Sequence, residues 1–279
     1  MEFRSPEGRE RYDAVVAAAA NTVVGLDFDG VLSPIVEDPA AAAIHPDGPG
    51  VLAELAPLVR AVAVITGRPA RQVVSLAGLE GVAETLDSGR LFVLGQYGNE
   101  RWSSTTGSFT SPEPPAGLER LVAQLPDLLA SCAAADAFVE DKGIAVAVHT
   151  RRLPEPQAAF ERLLPALSAA ARRHDLAVEP GRMVIEIRAP GMDKGQAVRT
   201  LHSELGADGF VFAGDDLGDV KAFEAVTSLR EAGHPTLLVC SGSEEQHALV
   251  ELSDLVVDGP AGVLRLLARL SRDVRARAC

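Results

Sequence analysis

The sequence predicts an α/β fold, in which a parallel sheet is covered by helices on both faces, with a smaller α+β segment inserted. Three observations predict it. Short apolar runs recur along the chain: TVVGL at 22–26, AVAVI at 61–65, LFVLG at 91–95, GFVFA at 209–213 and TLLVC at 236–240. Runs of that length and composition read as strands buried on both faces. Helical patterns lie between many of them, and strands alternating with helices make a parallel sheet. Third, a Ser/Thr/Pro/Gly stretch at 104–117 marks a boundary, and the pattern changes beyond it.

Taken in order, the N-terminal apolar run at 14–20 follows charged residues and lacks a cleavage region, so it reads as a helix and not a signal peptide. Residues 50–60 have helical spacing interrupted by Pro57. Residues 194–205 place Ala197, Val198, Leu201 and Leu205 on one helical face. Within the insert, LERLVAQL begins a helix at 118, IAVAVHT at 144–150 alternates like a half-exposed strand, and 155–174 reads as another helix. Residues 176–188 read as a hairpin turning near Pro180-Gly181. In its second strand Val184, Glu186 and Arg188 share one face, and Met183, Ile185 and Ile187 the other.

Composition narrows the function. Apolar residues make up 47% of the 279, enough for a sizeable core. The 26 basic and 39 acidic residues leave a net charge of −13, which argues against nucleic acid and anionic lipid as partners. An anionic substrate would then need a local concentration of cations. Cys132, Cys240 and Cys279 are odd in number and far apart, which reads as free thiols in a reducing cytoplasm. No run approaches the ~18–20 apolar residues of a membrane span. His45, His174, His202, His234 and His247 have no metal-ligand spacing and read as surface or packing residues.

The chemistry lies at the strand ends. The first run ends in Asp27-Phe28-Asp29, the second in Thr66-Gly67-Arg68-Pro69 and the fourth in GDDLGD, Gly214 to Asp219. Lys194 opens the helix before that fourth strand. In a parallel sheet these ends share one edge, where ligands bind. Carboxylates, a hydroxyl, an amine and glycine-freed backbone N–H groups brought together there suit phosphoryl transfer through an aspartyl intermediate. Like charges so close need a cation, and Mg²⁺ prefers hard oxygen ligands and binds through one or two carboxylates plus phosphate. Each residue also has a plainer reading. Thr66 can cap a helix, Asp219 can be a structural acid, and His149, Arg151 and Glu186 can be solvated strand residues.

DFDG, ITGR, DKG and GDD…D, in that order, resemble the four motifs of the haloacid dehalogenase superfamily of phosphatases. DFDGVLSPIVEDP, VITGRP, EDKGIAVAVHTR, GRMVIEIR and MDKGQAV resemble its trehalose-6-phosphate phosphatase family, over roughly residues 22–270. The resemblance implies a Rossmann-like three-layer core over 1–101 and 189–279 and an α+β cap over 102–188. It implies Asp27 as nucleophile and Asp29 as general acid/base. Mg²⁺ would be held by Asp27, Asp215 and the Asp29 backbone carbonyl, supported by Asp216 and Asp219. Thr66, Gly67, Arg68 and Lys194 would bind the phosphate. In the cap, Lys142, His149, Arg151, Glu186 and Arg188 would face the sugar, and Gly98 and Asn99 either line the sugar pocket or, with Tyr97 and Trp102, pack at the hinge.

Two positions depart from the family pattern: Val31 stands where Thr is usual, and GDDLGDV where GDD-x-TDE is frequent. Asp29 favours a hydrolase over pump relatives, which carry Thr there. The expectation is a cytoplasmic, monomeric Mg²⁺-dependent phosphatase converting trehalose 6-phosphate to trehalose and phosphate. The alternatives are another sugar phosphatase, acting on sucrose phosphate or mannosyl phosphoglycerate, or a non-catalytic domain that senses sugar phosphate.

Overall fold

Parallel pairing of the apolar runs organises the larger part of the chain in the computed structural model. The structure describes every residue except 1, 37, 39, 40, 87–89, 182, 243–246 and 279, with backbone alone at 2, 247 and 248. Cys279 and the His247 side chain therefore lie outside the described residues. The chain divides into two units, Met1–Ser111 with Asp193–Cys279, and Pro112–Met192.

In the larger unit the strands, numbered in chain order, are β1 (Glu2–Phe3), β2 (Thr22–Leu26), β3 (Ala61–Ile65), β4 (Leu91–Gly95), β5 (Glu100–Ser103), β6 (Phe109–Thr110), β11 (Gly209–Gly214), β12 (Thr236–Gly242) and β13 (Leu255–Asp258). Their order in the sheet is β1-β13-β12-β11-β2-β3-β4-β5-β6. The six strands from β13 to β4 run parallel, and β1, β5 and β6 add antiparallel edges.

Alternate residues of each buried strand face opposite layers. Val24, Leu26, Val62, Val64, Val211 and Val239 pack with Tyr12, Leu52, Val73, Leu79 and Leu267 from helices α1 (Pro6–Ala17), α2 (Gly48–Leu55), α3 (Ala70–Leu76), α4 (Leu79–Glu84) and α10 (Gly259–Ala278). Val23, Ile65, Phe210, Phe212 and Leu238 pack on the other side with Val198, Leu201, Phe223 and Leu249 from α7 (Lys194–Leu205), α8 (Val220–Glu231) and α9 (His247–Leu252). The unit is a three-layer α/β structure. After β2 the chain moves one way to β3 and β4, then returns to the other side through β11, so the strand order reverses between β2 and β11. The carboxyl ends of strands at such a reversal form a ligand crevice.

The N-terminal apolar run folds as the end of α1 and the start of the 3₁₀ turn Ala19–Asn21, and the first turn of α1 is capped by the Ser5 hydroxyl accepting from the Gly8 N–H at 3.2 Å. Pro57 lies in a single 3₁₀ turn, Ala56–Leu58, because its missing N–H cannot continue α2.

The smaller unit is a four-stranded antiparallel sheet in the order β7 (Phe138–Asp141), β8 (Ala145–His149), β10 (Val184–Arg188), β9 (Ala177–Gly181). Val146, Val148, Ile185 and Ile187 pack with Leu121, Leu125, Leu163 and Leu167 of α5 (Leu118–Ser131) and α6 (Pro156–Arg173). The register sets Glu186 opposite Ala147 and Arg188 opposite Ala145 on the other face.

The boundaries expected at 102 and 189 fall at 112 and 193. The first moves because β5 and β6 extend the core sheet. Trp102 pairs in register with Val93 and Phe109, and it is buried at 1% exposure in the core of the larger unit. The Ser/Thr-rich stretch hid β6, and β5, with one buried residue, has no apolar run of its own.

Candidate active site

Asp27 follows the last residue of β2, and its backbone N–H donates to the Ala213 carbonyl of β11 at 2.9 Å. The peptide that carries the acid is thus fixed across the strand-order reversal. Asp27 is 5% exposed. One carboxylate oxygen accepts from the Phe28 N–H at 2.7 Å, and the other pairs with Lys194 Nζ at 2.8 Å. Lys194 reaches it from the first turn of α7, where the Asp193 side chain caps the helix by accepting from the Gln196 N–H at 2.8 Å. Gly195 lets this turn sit on α8: a Cβ there would lie 2.4 Å from the Lys221 carbonyl oxygen.

β11 delivers the remaining acids. Asp27, Asp215, Asp216 and Asp219 offer oxygens that all lie within 4.8 Å of one another. They differ in what they already bind. Both oxygens of fully buried Asp219 are engaged: Oδ1 accepts from Lys194 Nζ at 2.7 Å, and Oδ2 from the N–H groups of Asp215 at 2.9 Å and Asp216 at 3.3 Å. Asp219 ties the loop to the lysine. Asp216 is exposed and caps a short 3₁₀ turn through the Gly218 N–H at 2.8 Å. The Asp215 carboxylate is 4% exposed and lies directly over Gly30, where a Cβ would come within 2.1 Å of its Oδ2. Gly30 also has φ +70°, so the turn after the two aspartates requires glycine twice over.

The electrostatics follow from packing several acids around one ammonium. Burial, with Asp219 and Asp216 nearby, pushes Asp215 up to about 8. Burial also raises Asp27 well above the usual carboxylate range, with Asp219 and Asp215 adding to it against the lowering effect of Lys194. Burial works to lower Lys194, but Asp219, Asp27 and Asp216 outweigh it and hold the ammonium well above its ordinary value. Asp215 and Asp27 therefore lie close together, while the one nearby ammonium is spent on Asp27 and Asp219. A buried carboxylate over a glycine floor beside a second carboxylate is a donor set that a hard divalent cation fits.

Thr66 follows the last residue of β3, is 1% exposed, and its Oγ1 accepts from the Arg68 N–H at 3.2 Å. Arg68 turns back to the first motif and forks onto Asp29, with Nε to Oδ2 at 2.6 Å and Nη2 to Oδ1 at 2.8 Å. Beside it, β4 is followed by Gln96 and Tyr97, whose φ values of 45° and 61° are left-handed. A Cβ on Gly67 would lie 2.8 Å from the Tyr97 hydroxyl oxygen, so the tyrosine packs directly on the second motif.

In the smaller unit the sheet face opposite the helices carries a chain of ion pairs. Lys142 Nζ meets Glu186 Oε2 at 2.5 Å, Arg188 Nη1 meets Glu186 Oε1 at 3.1 Å, and Arg188 Nη2 meets Glu179 Oε2 at 3.0 Å. His149 Nε2 lies 2.9 Å from Glu140 Oε2. Glu186 and Arg188 are 6% and 5% exposed, so the solvated-strand reading does not hold for Glu186. Arg151 stands apart, exposed in the turn after β8.

Several contacts were not anticipated from the sequence. Glu140 and Glu179 join the charged face, and Ser241 Oγ donates to the Gly30 carbonyl at 2.6 Å. Ser241 lies near the carboxyl end of β12, so following that run to its end, as for the others, finds it. The Arg68–Asp29 pair spans 39 positions and leaves no local signal.

Among the described residues, no helix is long and apolar enough to cross a membrane.

The trehalose-phosphatase family model matches residues 127–255. A probable trehalose-phosphate phosphatase of Sinorhizobium fredii is 33% identical over 229 residues, covering 80% of each chain. Two solved structures share the fold: the C-terminal domain of Candida albicans trehalose-6-phosphate phosphatase (TM-score 0.75, 19% identity, 97% and 98% covered) and that of the Candida albicans trehalose synthase regulatory protein (TM-score 0.68, 12% identity, 95% and 97% covered). The fold thus recurs in a chain named as a phosphatase and in one named as a regulator. The sequence relationship places this one: the chain belongs to the trehalose-phosphatase family.

Proposed function

We propose that this protein is a phosphomonoester hydrolase that converts trehalose 6-phosphate to trehalose and phosphate through an aspartyl-phosphate intermediate. The observation that carries the reading is the buried set at the β2/β11 reversal, in which Asp27 is held by Lys194 beside Asp215. Family membership supports the substrate. A pure sensor would have no use for a nucleophile fixed in this way.

Asp27 attacks phosphorus through its free lone pair, and the ester P–O bond breaks as the aspartyl P–O bond forms. The Asp29 carboxyl group gives its proton to the departing sugar oxygen, releasing trehalose. Asp29, now a carboxylate, takes a proton from water as the water oxygen attacks phosphorus. The aspartyl P–O bond breaks, phosphate leaves, and Asp27 is restored. Lys194 and the Thr66 hydroxyl bind the non-bridging oxygens as charge moves onto them. Mg²⁺ held by Asp27, Asp215 and the Asp29 carbonyl, with Asp216 nearby, would neutralise the phosphate dianion that a carboxylate must approach. The charged face of the smaller unit, with Lys142, His149, Glu186 and Arg188, supplies hydrogen-bonding groups suited to sugar hydroxyls, and Arg151, exposed in the turn after β8, would have to reach the sugar from outside that face.

The test is phosphate release from trehalose 6-phosphate, sucrose 6-phosphate and mannosyl phosphoglycerate, each with and without Mg²⁺. Release from trehalose 6-phosphate should dominate and need the metal. Preference for another ester would move the substrate, and no release from any would remove the enzyme reading.

A further inference from the structure

We infer that Arg68 is the positioning residue of Asp29, acting on the reaction through that carboxylate and not by gripping the transferring phosphate. The inference rests on the phosphatase reading above and assigns a role within it.

The geometry is a two-point fork, Nε to Oδ2 at 2.6 Å and Nη2 to Oδ1 at 2.8 Å. Such a fork fixes the plane as well as the place of a carboxylate, which a lysine ammonium cannot do. The two partners are unequally exposed, with the Arg68 side chain at 14% and that of Asp29 at 38%. The arginine is therefore the anchored member and the aspartate the presented one. Three contacts anchor it. Its N–H donates to Thr66 Oγ1 at 3.2 Å, its carbonyl accepts from the Gln96 N–H at 2.9 Å, and its guanidinium carbon lies 5.8 Å from the centre of the buried Phe28 ring. Arg68 thus transfers the rigidity of the β3 and β4 ends to a side chain on the loop after β2.

Among the described residues, no other group hydrogen-bonds the Asp29 carboxylate. Without Arg68 a half-exposed carboxylate would be free to turn about its own torsions. A group that must meet the leaving oxygen at hydrogen-bond distance loses rate steeply when it is misplaced by an ångström. A lost proton donor matters most where the departing oxygen is strongly basic and least where it leaves readily as an anion. An arginine that grips phosphate contributes equally to every ester, because all share that phosphate. This contrast separates the two roles.

The experiment measures kcat/KM for Arg68→Lys on trehalose 6-phosphate and on a series of aryl phosphates from phenyl to 4-nitrophenyl. This constant ends at departure of the leaving group. The loss should be about 10- to 100-fold for trehalose 6-phosphate and fall below about threefold for 4-nitrophenyl phosphate, graded along the series. In an Asp29→Ala background, Arg68→Lys should cost nothing further on any substrate. A uniform loss across the series, or the full loss retained in the Asp29→Ala background, overturns the inference while leaving the phosphatase reading intact. So does wild-type activity throughout. If Arg68→Lys does not fold, Asp29→Asn must reproduce the graded pattern, and a uniform loss there counts against it. A wild-type protein that hydrolyses none of these esters removes the function and the inference together.

Discussion

Asp219→Asn tests what the fourth acid is for. The substitution keeps size and shape and removes a charge from a fully buried site. Asp219 accepts three hydrogen bonds, from Lys194 Nζ at 2.7 Å and from the Asp215 and Asp216 N–H groups at 2.9 and 3.3 Å. An asparagine has one acceptor oxygen. If that oxygen faces the backbone, its amide N–H points at the ammonium. If it faces Lys194, the amide points at two backbone donors. Either way, buried donors face donors. Leaving such groups unmet costs about 1–3 kcal/mol each, and breaking one side of a buried ion pair about 3–5. Lys194 keeps Asp27 at 2.8 Å, which softens the loss. The net expectation is about 2–4 kcal/mol, seen as a lower urea midpoint with unchanged slope and a Tm lower by roughly 5–15 °C. The measurement belongs in EDTA. If Asp219 served mainly as a metal ligand, removing one of several crowded carboxylates would relieve repulsion and stabilise the metal-free protein. A variant as stable as wild type in EDTA, or more stable, would refute the structural role.

Glu186→Ala should lower kcat/KM for trehalose 6-phosphate about 10- to 150-fold, the worth of a buried charged hydrogen bond, and leave a small aryl phosphate nearly unaffected; equal losses would make Glu186 a support of the fold. EDTA should abolish turnover and Mg²⁺ restore it, while Ca²⁺, with its larger and looser shell, should support little; full activity after exhaustive chelation contradicts the metal role. Metal-free stability should fall with rising pH. Asp215 is raised to about 8 in the folded state against roughly 3.9 unfolded, so the folded protein keeps a proton the unfolded chain releases between those values. That stability is complete below the lower value and lost as pH rises through the upper. The urea midpoint in EDTA should therefore drop from pH 5 to pH 8, and saturating Mg²⁺ should flatten or reverse the trend. A midpoint in EDTA that rises across this window contradicts it.

The parallel strands were legible because β2, β3, β4, β11 and β12 are buried on both faces and read as unbroken apolar runs. Their carboxyl ends were legible because charge beside a buried run needs a reason. β5 was not legible: its ERWS carries one buried residue, Trp102, and its pairing with Val93 is set by the sheet and not by its own pattern. β13 reads LVVD, too short to distinguish from a helix end. At the site, sequence order brings out which residues reach the sheet edge but not how the oxygens are shared among them. That Asp219 spends both oxygens on Lys194 and the Asp215–Asp216 backbone, that Asp215 lies on Gly30, and that Arg68 turns to Asp29 are all consequences of contacts across distant segments. The Lys142–Glu186–Arg188–Glu179 chain is partly local. Period-two alternation sets Glu186 beside Arg188, but only the register of β9 and β10 brings Glu179 to them.

The central claim is that phosphoryl transfer begins at Asp27. The most direct measurement is phosphate release from trehalose 6-phosphate by wild type and Asp27→Asn at equal, saturating Mg²⁺. The urea midpoint of each should show that the variant is folded. Asparagine keeps the shape of the side chain and loses the attacking charge. Turnover should fall by at least about 10³-fold while the fold persists. A folded Asp27→Asn variant that still turns over trehalose 6-phosphate within about tenfold of wild type would contradict the claim, because no reaction through that carboxylate could survive its loss.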